Sequence, residues 1–141
     1  MNRFLTTELI GKSSRLITNN LSQKLLSQNI EITTEQWIIL QILSGGSKSQ
    51  KELGDITLKN KASINSLVSN LLKLNFVNKT ISPKDKRETV ITITEIGDKT
   101  RKETLEVASE SVNEILKDFS VSEVEQLNKF LNRINSNLIN K

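Results

Sequence analysis

The sequence contains no cysteine and no histidine among its 141 residues. Without cysteine, the chain can form no disulfide, thiol-based redox sensor or thiolate metal site. Without histidine, it lacks the commonest transition-metal ligand and the commonest general base near neutral pH. No side chain is therefore a convincing nucleophile–base candidate, and we expect neither an enzyme nor a cofactor-binding or metal-binding protein.

Aromatic residues and long apolar runs are also scarce. Aromatic residues make up 4% of the chain and apolar residues 35%, so leucine and isoleucine must carry most of the packing. Long helices with so little apolar surface often complete their burial against a second copy. No apolar run approaches the ~18 residues of a membrane span, and the N-terminus lacks the apolar region of a signal peptide. We expect a single-domain cytoplasmic protein, with a composition typical of low-GC bacteria.

The positive charge is concentrated in residues 48–94. This segment has nine lysines and arginines against four acidic residues, a net charge of +5, whereas the whole chain carries +4. The patterns in it predict two short helices followed by a β ribbon. A basic segment of that shape is typical of a protein that reads duplex DNA.

Local signals predict where the elements begin and end. Leucines and isoleucines at helical intervals predict a first helix over about residues 3–27, ended near Asn29. Alternation predicts paired strands over residues 76–81 and 89–94. Asn60 is predicted to cap one helix and Thr94 to begin a long one. Capping boxes are predicted at three pairs: Thr33 with Gln36, Ser49 with Glu52, and Ser122 with Glu125.

The helix predicted near residues 61–73 has a polar face without acidic side chains. Its apolar stripe consists of Ile64, Leu67, Val68, Leu71 and Leu72. Lys61 would lie near phosphates, and Asn65, Ser66 and Asn70 could hydrogen-bond to base edges in a major groove. The alternative is an ordinary solvated helix face. A short preceding helix, joined through residues 57–59, favours the helix-turn-helix interpretation.

The tip of the predicted ribbon carries Lys84, Asp85, Lys86 and Arg87 beside the only proline, Pro83. Arg87 could insert into a narrow minor groove, where the negative potential is enhanced. We expect Asp85 to hold Arg87 by a charge-assisted hydrogen bond. The alternative is a hairpin loop made soluble by its charges.

Two further features have structural rather than chemical interpretations. Four glutamates on one face of the long helix could bind a hard cation, but they lie opposite an apolar stripe and are expected to be solvated. These are Glu103, Glu106, Glu110 and Glu114. The stripe consists of Leu105, Ala108, Val112, Ile115, Leu116 and Phe119. Trp37, the lone tryptophan, is expected in the core, although a crevice for an effector could pass close to it.

The order of these motifs resembles MarR-type winged-helix transcriptional regulators. The resemblance covers essentially the whole chain, through residues 33–37, 50–53, 62–71, 85–87 and 90–97. Its most specific part is Asp-x-Arg in the wing combined with Thr-x-x-Gly at the start of the next helix. Leu74 and Asn75 depart from the family, since a Lys-Gly turn is usual there.

The resemblance implies a mainly α fold with a small β wing in one domain over residues 1–141. A winged helix-turn-helix lobe would span residues 33–95, flanked by dimerisation helices over residues 1–27 and 98–141. It further implies a homodimeric transcription regulator, expected to be a repressor, that binds double-stranded DNA at a palindromic operator and could respond to a small-molecule effector. The expected DNA contacts are Ser63, Asn65, Ser66 and Asn70 on the helix, Asp85 and Arg87 in the wing, and Ser49, Gln50, Lys51 and Lys61 to the backbone. The alternative function is a winged-helix protein-interaction module without specific DNA recognition.

Overall fold

The structure, a computed structural model, describes residues 2–139. Within that range the chain forms six helices and one two-stranded antiparallel sheet. The elements are α1 (Phe4–Ser27), α2 (Thr34–Leu43), α3 (Gln50–Thr57), α4 (Lys61–Lys73), β1 (Val77–Ile81), β2 (Thr89–Ile93), α5 (Glu95–Ile115) and α6 (Val121–Ile139). The prediction of a mainly α fold with a small β wing is confirmed.

The predicted caps at Thr33, Ser49, Asn60 and Thr94 all form. Each side-chain oxygen accepts a hydrogen bond from the backbone N–H three residues later, which satisfies one of the unpaired donors of a helix start. At Thr33 and Ser49 the reciprocal bond is also present, which completes a capping box. These four caps fix where α2, α3, α4 and α5 begin.

The predicted start of the last helix is wrong by two residues. Ser120 and Glu123, rather than Ser122 and Glu125, exchange the reciprocal hydrogen bonds, at 2.9 and 3.1 Å. Both pairs have the same spacing, so the sequence does not distinguish them. The chain turns through Asp118, whose φ is 66°, two residues before the pair that forms.

The core consists of two clusters of buried residues, and one side chain packs against both of them. The larger cluster lies among α2, α3, α4 and the sheet, and it includes fully buried Leu40, Leu53 and Ile91. The smaller one lies between α1 and α5. Trp37 packs against both clusters, so it joins the winged lobe to the long helices.

The buried face of α5 differs from the predicted stripe. Thr104, Val107, Ala108 and Ser111 are the buried side chains, most of them small. The hydroxyl of Ser111 donates to Asn20 Oδ1 of α1 at 2.7 Å, so α1 packs closely against this side. Of the predicted stripe only Ala108 is buried, and the exposed fractions of Leu105, Val112 and Phe119 are 41%, 49% and 50%.

Helix α6 has no buried residue in the protomer, although one of its sides is apolar. The exposed apolar side chains at helical spacing are Leu127, Leu131, Ile134 and Leu138. In residues 2–139, no helix combines the length and apolar character needed to cross a membrane.

Candidate nucleic-acid interface

The wing is a closed hairpin. Ile81 pairs with Thr89 at the outer end of the ladder, and the N–H of Ser82 donates to the carbonyl of Glu88 at 2.8 Å. The buried Ser82 hydroxyl then accepts from the N–H groups of Lys84 and Asp85, at 3.2 and 3.4 Å. The tip is therefore closed by hydrogen bonds among its own residues rather than left as an open loop.

Two backbone hydrogen bonds attach the wing to the segment before α3. The N–H of Lys48 donates to the carbonyl of Ile91 at 3.1 Å, and the N–H of Ile91 donates to the carbonyl of Lys48 at 2.7 Å. The side chains of Ser47 and Thr92 add a contact of 2.7 Å beside them. Because of these bonds, the wing and the helix-turn-helix have a fixed separation.

Asp85 contacts Arg87 as predicted. Its Oδ1 accepts from the backbone N–H of Arg87 at 3.0 Å and from Arg87 Nε at 3.3 Å. The arginine side chain remains 92% exposed. The neighbouring Lys84 and Lys86 are also exposed. The tip thus presents three cations, one of them oriented by a carboxylate.

The polar face of α4 is available for contact. Lys61, Asn65, Ser66 and Asn70 are exposed, and Ser63 is half-buried. The opposite side packs Ile64, Val68 and Leu71 into the core. Between α3 and α4 the chain turns through Leu58 at φ 59°, and Gly54 allows the close approach, since a Cβ there would lie 3.3 Å from the carbonyl of Lys59.

The start of α3 contributes one exposed cation to this surface, whereas the hydroxyl that was expected to contact the DNA backbone is buried. Ser49 is buried, and its hydroxyl accepts from the N–H of Glu52 at 3.1 Å, whereas Lys51 is exposed. The hydrogen bonds from Ser49 hold the pKa of Glu52 below its usual value, and the positive charges of Lys48 and Lys84 act in the same direction.

A side-chain contact between α3 and α4 was not predicted from the sequence. The amide Nε2 of Gln50 donates to Asn65 Oδ1 at 2.5 Å. The two residues are fifteen positions apart, and no periodic or capping pattern relates them. They border a hollow of about 800 Å³ whose lining includes Lys51, Lys59 and Lys61. The hollow adds to the basic surface between the helices.

Trp37 and Arg101 connect the winged lobe to α5. The indole N–H of Trp37 donates to the carbonyl of Arg101 at 3.2 Å, and Arg101 Nη1 donates to Gln41 Oε1 at 2.8 Å. Arg101 also pairs with Asp98 at 2.8 Å and, by donating hydrogen bonds to it, lowers the pKa of that carboxyl. The indole N–H is thus already bonded, and the effector crevice at Trp37 stays a prediction.

The glutamate row on α5 faces solvent, as its position opposite the apolar stripe predicts. All four carboxylates belong to exposed residues, and Glu114 pairs with Lys24 of α1 at 2.9 Å. Hydrogen bonding from Lys24 lowers the pKa of Glu114. Among residues 2–139, the side chains form no cluster of three or more potential acidic metal ligands.

Comparison with known proteins supports the sequence interpretation. Residues 30–88 match the family model described as "MarR family". No curated protein matches the chain. A mutant of MarR from E. coli, solved in complex with operator DNA, is similar with a TM-score of 0.82 and 18% identity over 91% of each chain.

Two other solved structures are similar over almost the full length. AbsC, a MarR family transcriptional regulator from Streptomyces coelicolor, has a TM-score of 0.86 and 21% identity over 97% of this chain and 94% of its own. The transcriptional regulator BldR from Sulfolobus solfataricus has a TM-score of 0.82 and 26% identity over 94% of this chain and 99% of its own. The predicted resemblance is confirmed, and the fold is that of MarR-type winged-helix regulators.

Proposed function

From a chain whose residues 30–88 match the MarR family and whose fold is that of MarR-type regulators, we propose a homodimeric, sequence-specific DNA-binding transcription regulator. The observation that carries the proposal is the exposed polar face of α4 beside a wing whose arginine is oriented and 92% exposed. The winged lobe over residues 33–95 would read DNA. Residues 1–27 and 98–141 would form the dimer.

Within each lobe the contacts divide by chemistry. Lys51, Lys61, Lys84 and Lys86 bind phosphates, because they are exposed cations on one basic surface. These contacts supply most of the affinity, which should fall steeply with salt. Arg87 enters the minor groove, where its terminal N–H groups can bind.

The polar face of α4 supplies the base contacts. Asn65, Ser66 and Asn70 reach base edges in the major groove, with Ser63 beside them. Asp85 keeps its predicted role as the residue that orients Arg87. Gln50 contacts the DNA backbone from the start of α3, whereas the buried hydroxyl of Ser49 caps that helix. The backbone bonds between Lys48 and Ile91 hold the wing and α4 at one separation, so both can engage the same operator half-site.

The partner that fits α6 is a second copy of the chain. A 19-residue helix with an apolar side and no buried residue is not stable alone in water, so it needs a partner surface. Another uncovered apolar surface lies on α1, where Phe4, Leu5 and Leu9 are exposed. Two-fold pairing brings such first and last helices together and covers both surfaces with one contact.

A hollow where these helices meet has the right character for that contact. It has a volume of about 460 Å³ and lies between α1, the end of α5 and the start of α6. Its apolar lining includes Leu16, Ile17, Phe119 and Leu127. Side chains of the partner's terminal helices would fill it.

Repression would follow from occupancy of a palindromic operator. A two-fold dimer places the two copies of α4 about one DNA turn apart, roughly 34 Å, on successive major grooves. A small-molecule effector that changed this separation would release one lobe with all its contacts. The bonds that join Trp37 and Gln41 to Arg101 are the connection through which a movement of α5 would reach the lobe.

A gel-shift experiment on the DNA upstream of the protein's own gene tests the proposal. We expect saturable binding that survives competitor DNA and weakens strongly between 50 and 200 mM salt, by roughly a thousandfold for six phosphate contacts. Binding that is weak and indifferent to sequence would contradict it and favour a winged-helix interaction module. Lys99→Ala removes one exposed positive charge of α5, outside the proposed interface, and should bind this DNA as the wild type does.

A further inference from the structure

The winged lobe is attached to α5 at two places. The first is the chain itself, since β2 leads into α5 through Thr94, whose backbone N–H donates to the carbonyl of Phe76 at 3.0 Å. The second is α2, which packs against both α1 and α5. An attachment at one place leaves the lobe free to rotate about it, and the second attachment removes that freedom. The contacts of α2 therefore fix the direction in which the lobe points from α5.

Two kinds of contact hold α2 against the long helices. The apolar packing of Trp37 excludes water, but it is non-directional and so tolerates a small rotation. Hydrogen bonds are directional and do not. Among residues 2–139, three side-chain hydrogen bonds join α2 to α1 or α5, and Arg101 takes part in two of them.

The guanidinium of Arg101 connects α5 to α2 through a planar group held on both sides. Oδ1 of Asp98, one turn earlier on α5, lies 2.8 Å from both Nε and Nη2, which fixes the plane of the guanidinium. Its Nη1 then donates to Gln41 Oε1 on α2 at 2.8 Å. The Arg101 side chain is 15% exposed, so water competes little for these bonds. The position of Gln41 is thus set relative to α5.

We propose that Arg101 is a positioning residue whose bond to Gln41 sets the orientation of the winged lobe on α5, and with it the separation of operator half-sites that the dimer accepts. The inference rests on the proposed function, which supplies the dimer and its operator. One base pair added between the half-sites separates them by about 3.4 Å more and rotates them by roughly 35°. Lobes held rigidly do not follow such a change, whereas lobes free to turn on α5 follow part of it.

Spin labels measure the lobe orientation without DNA. The chain has no cysteine, so Ser69→Cys, at an exposed position of α4, places one label on each lobe of the full-length dimer. We expect a narrow distribution of distances between the two labels. Gln41→Leu removes the acceptor and Arg101→Met removes the donor, and both keep the backbone carbonyl that binds Trp37. Each should broaden or shift the distribution by on the order of 3 Å, about the rise of one base pair.

Two matched variants are the controls for the distance measurement. Gln41→Glu keeps an acceptor oxygen for Arg101 and should retain the narrow distribution. Lys102→Ala removes the other cation that pairs with Asp98, at 3.2 Å, but this pair lies within α5 and the lysine side chain is 67% exposed. It should therefore leave the distribution unchanged.

The second readout is the affinity for operators with one base pair inserted at or removed from the centre. The wild type should prefer the natural spacing over both altered ones. That preference should fall at least about fivefold in Gln41→Leu and in Arg101→Met, the lower end of typical coupling between separate sites. Lys61→Ala should weaken binding to all three spacings alike, because it removes a phosphate contact and leaves the orientation of the lobe intact.

The results distinguish failure of this inference from failure of the proposed function. Absence of any dipolar signal between the labels of the wild type would show that there is no dimer and would overturn both. A distribution and a spacing preference that stay unchanged in Gln41→Leu and Arg101→Met would overturn the role of Arg101 while the dimer stood. Loss of the dimer in both variants would overturn it too, since the contact would then only maintain the fold. A broader or shifted distribution with a relaxed spacing preference, both absent in Gln41→Glu, would support the inference.

Discussion

Substitution of Leu131 by alanine should weaken the homodimer in proportion to the surface that the protomer leaves uncovered. Leu131 is 38% exposed on the apolar side of α6. Complete burial of a leucine side chain is worth about 1.5–3 kcal/mol, so two fifths of it is worth about 0.6–1.2 kcal/mol. The dimer contains the substitution twice, and the loss becomes about 1.2–2.4 kcal/mol. The dimer dissociation constant should therefore rise roughly sevenfold to fiftyfold.

Sedimentation equilibrium over a wide range of protein concentrations measures this constant directly. Ser136→Ala is the matched control, because Ser136 is exposed on the opposite side of α6 and its truncation removes no apolar contact. Operator binding should weaken in parallel for Leu131→Ala when the protein is diluted below its dimer constant. Equal dissociation constants for the two variants would refute the assignment of this surface to the dimer.

Three further substitutions test the wing, the close packing at the start of α5 and the ion pair of Asp98 with Arg101. Arg87→Ala should weaken operator binding by about 1–3 kcal/mol in a filter-binding titration, because it removes the exposed guanidinium at the tip. Gly97→Ala should destabilise the fold by at least about 1–3 kcal/mol in urea unfolding, since a Cβ there would lie 2.1 Å from a backbone oxygen just before β1. The pKa of Asp98 is lowered by Arg101, so its ion pair stabilises the protein above the ordinary pKa of 3.8 and the contribution is lost as pH falls through the lower folded value. Asp98→Asn should therefore lose less stability on acidification than the wild type.

Each of these tests has a result that would contradict it. Wild-type affinity in Arg87→Ala would remove the wing from recognition. Gly45→Ala is the control for the glycine experiment, because the nearest atom to its added Cβ is 3.5 Å away; equal stability of both variants would show that position 97 has room. Parallel stability curves for Asp98→Asn and the wild type across the acid range would show that the carboxylate contributes nothing in the folded state.

Local features of this fold could be predicted from the sequence. The caps at Thr33, Ser49 and Asn60 could be predicted because each links residues only three positions apart. The local sequence pattern therefore contains both partners of the hydrogen bond. The error at the start of α6 has the same origin. Ser120 and Ser122 each precede a glutamate by three positions, so the local pattern does not distinguish them. Asn75 shows how a departure from the family pattern is accommodated: it adopts φ 61°, a conformation that asparagine tolerates, and its carbonyl accepts from the Thr94 hydroxyl at 2.7 Å.

Features that depend on distant pairs could not be predicted. The periodicity of the sequence identified an apolar side of α5, but a different side packs in the structure. That side carries small residues that lie against α1, and its Ser111 hydroxyl bonds to Asn20, which is 91 positions away in the sequence. The contact of Gln50 with Asn65 likewise depends on how α3 crosses α4. Ser111, Asn20, Gln50 and Asn65 are polar, and no local pattern predicts which residue each of them contacts. Their partners exist only in the folded chain.

Hydroxyl-radical footprinting of the full-length protein on its operator distinguishes a paired reader of DNA from a single one. We expect two equivalent protected half-sites related by two-fold symmetry, with centres about 10 base pairs apart. Protection at the wing should lie in the minor groove flanking each half-site and should vanish in Arg87→Ala. A single protected half-site at saturation, or protection that moves with no regard to sequence, would contradict recognition by two subunits.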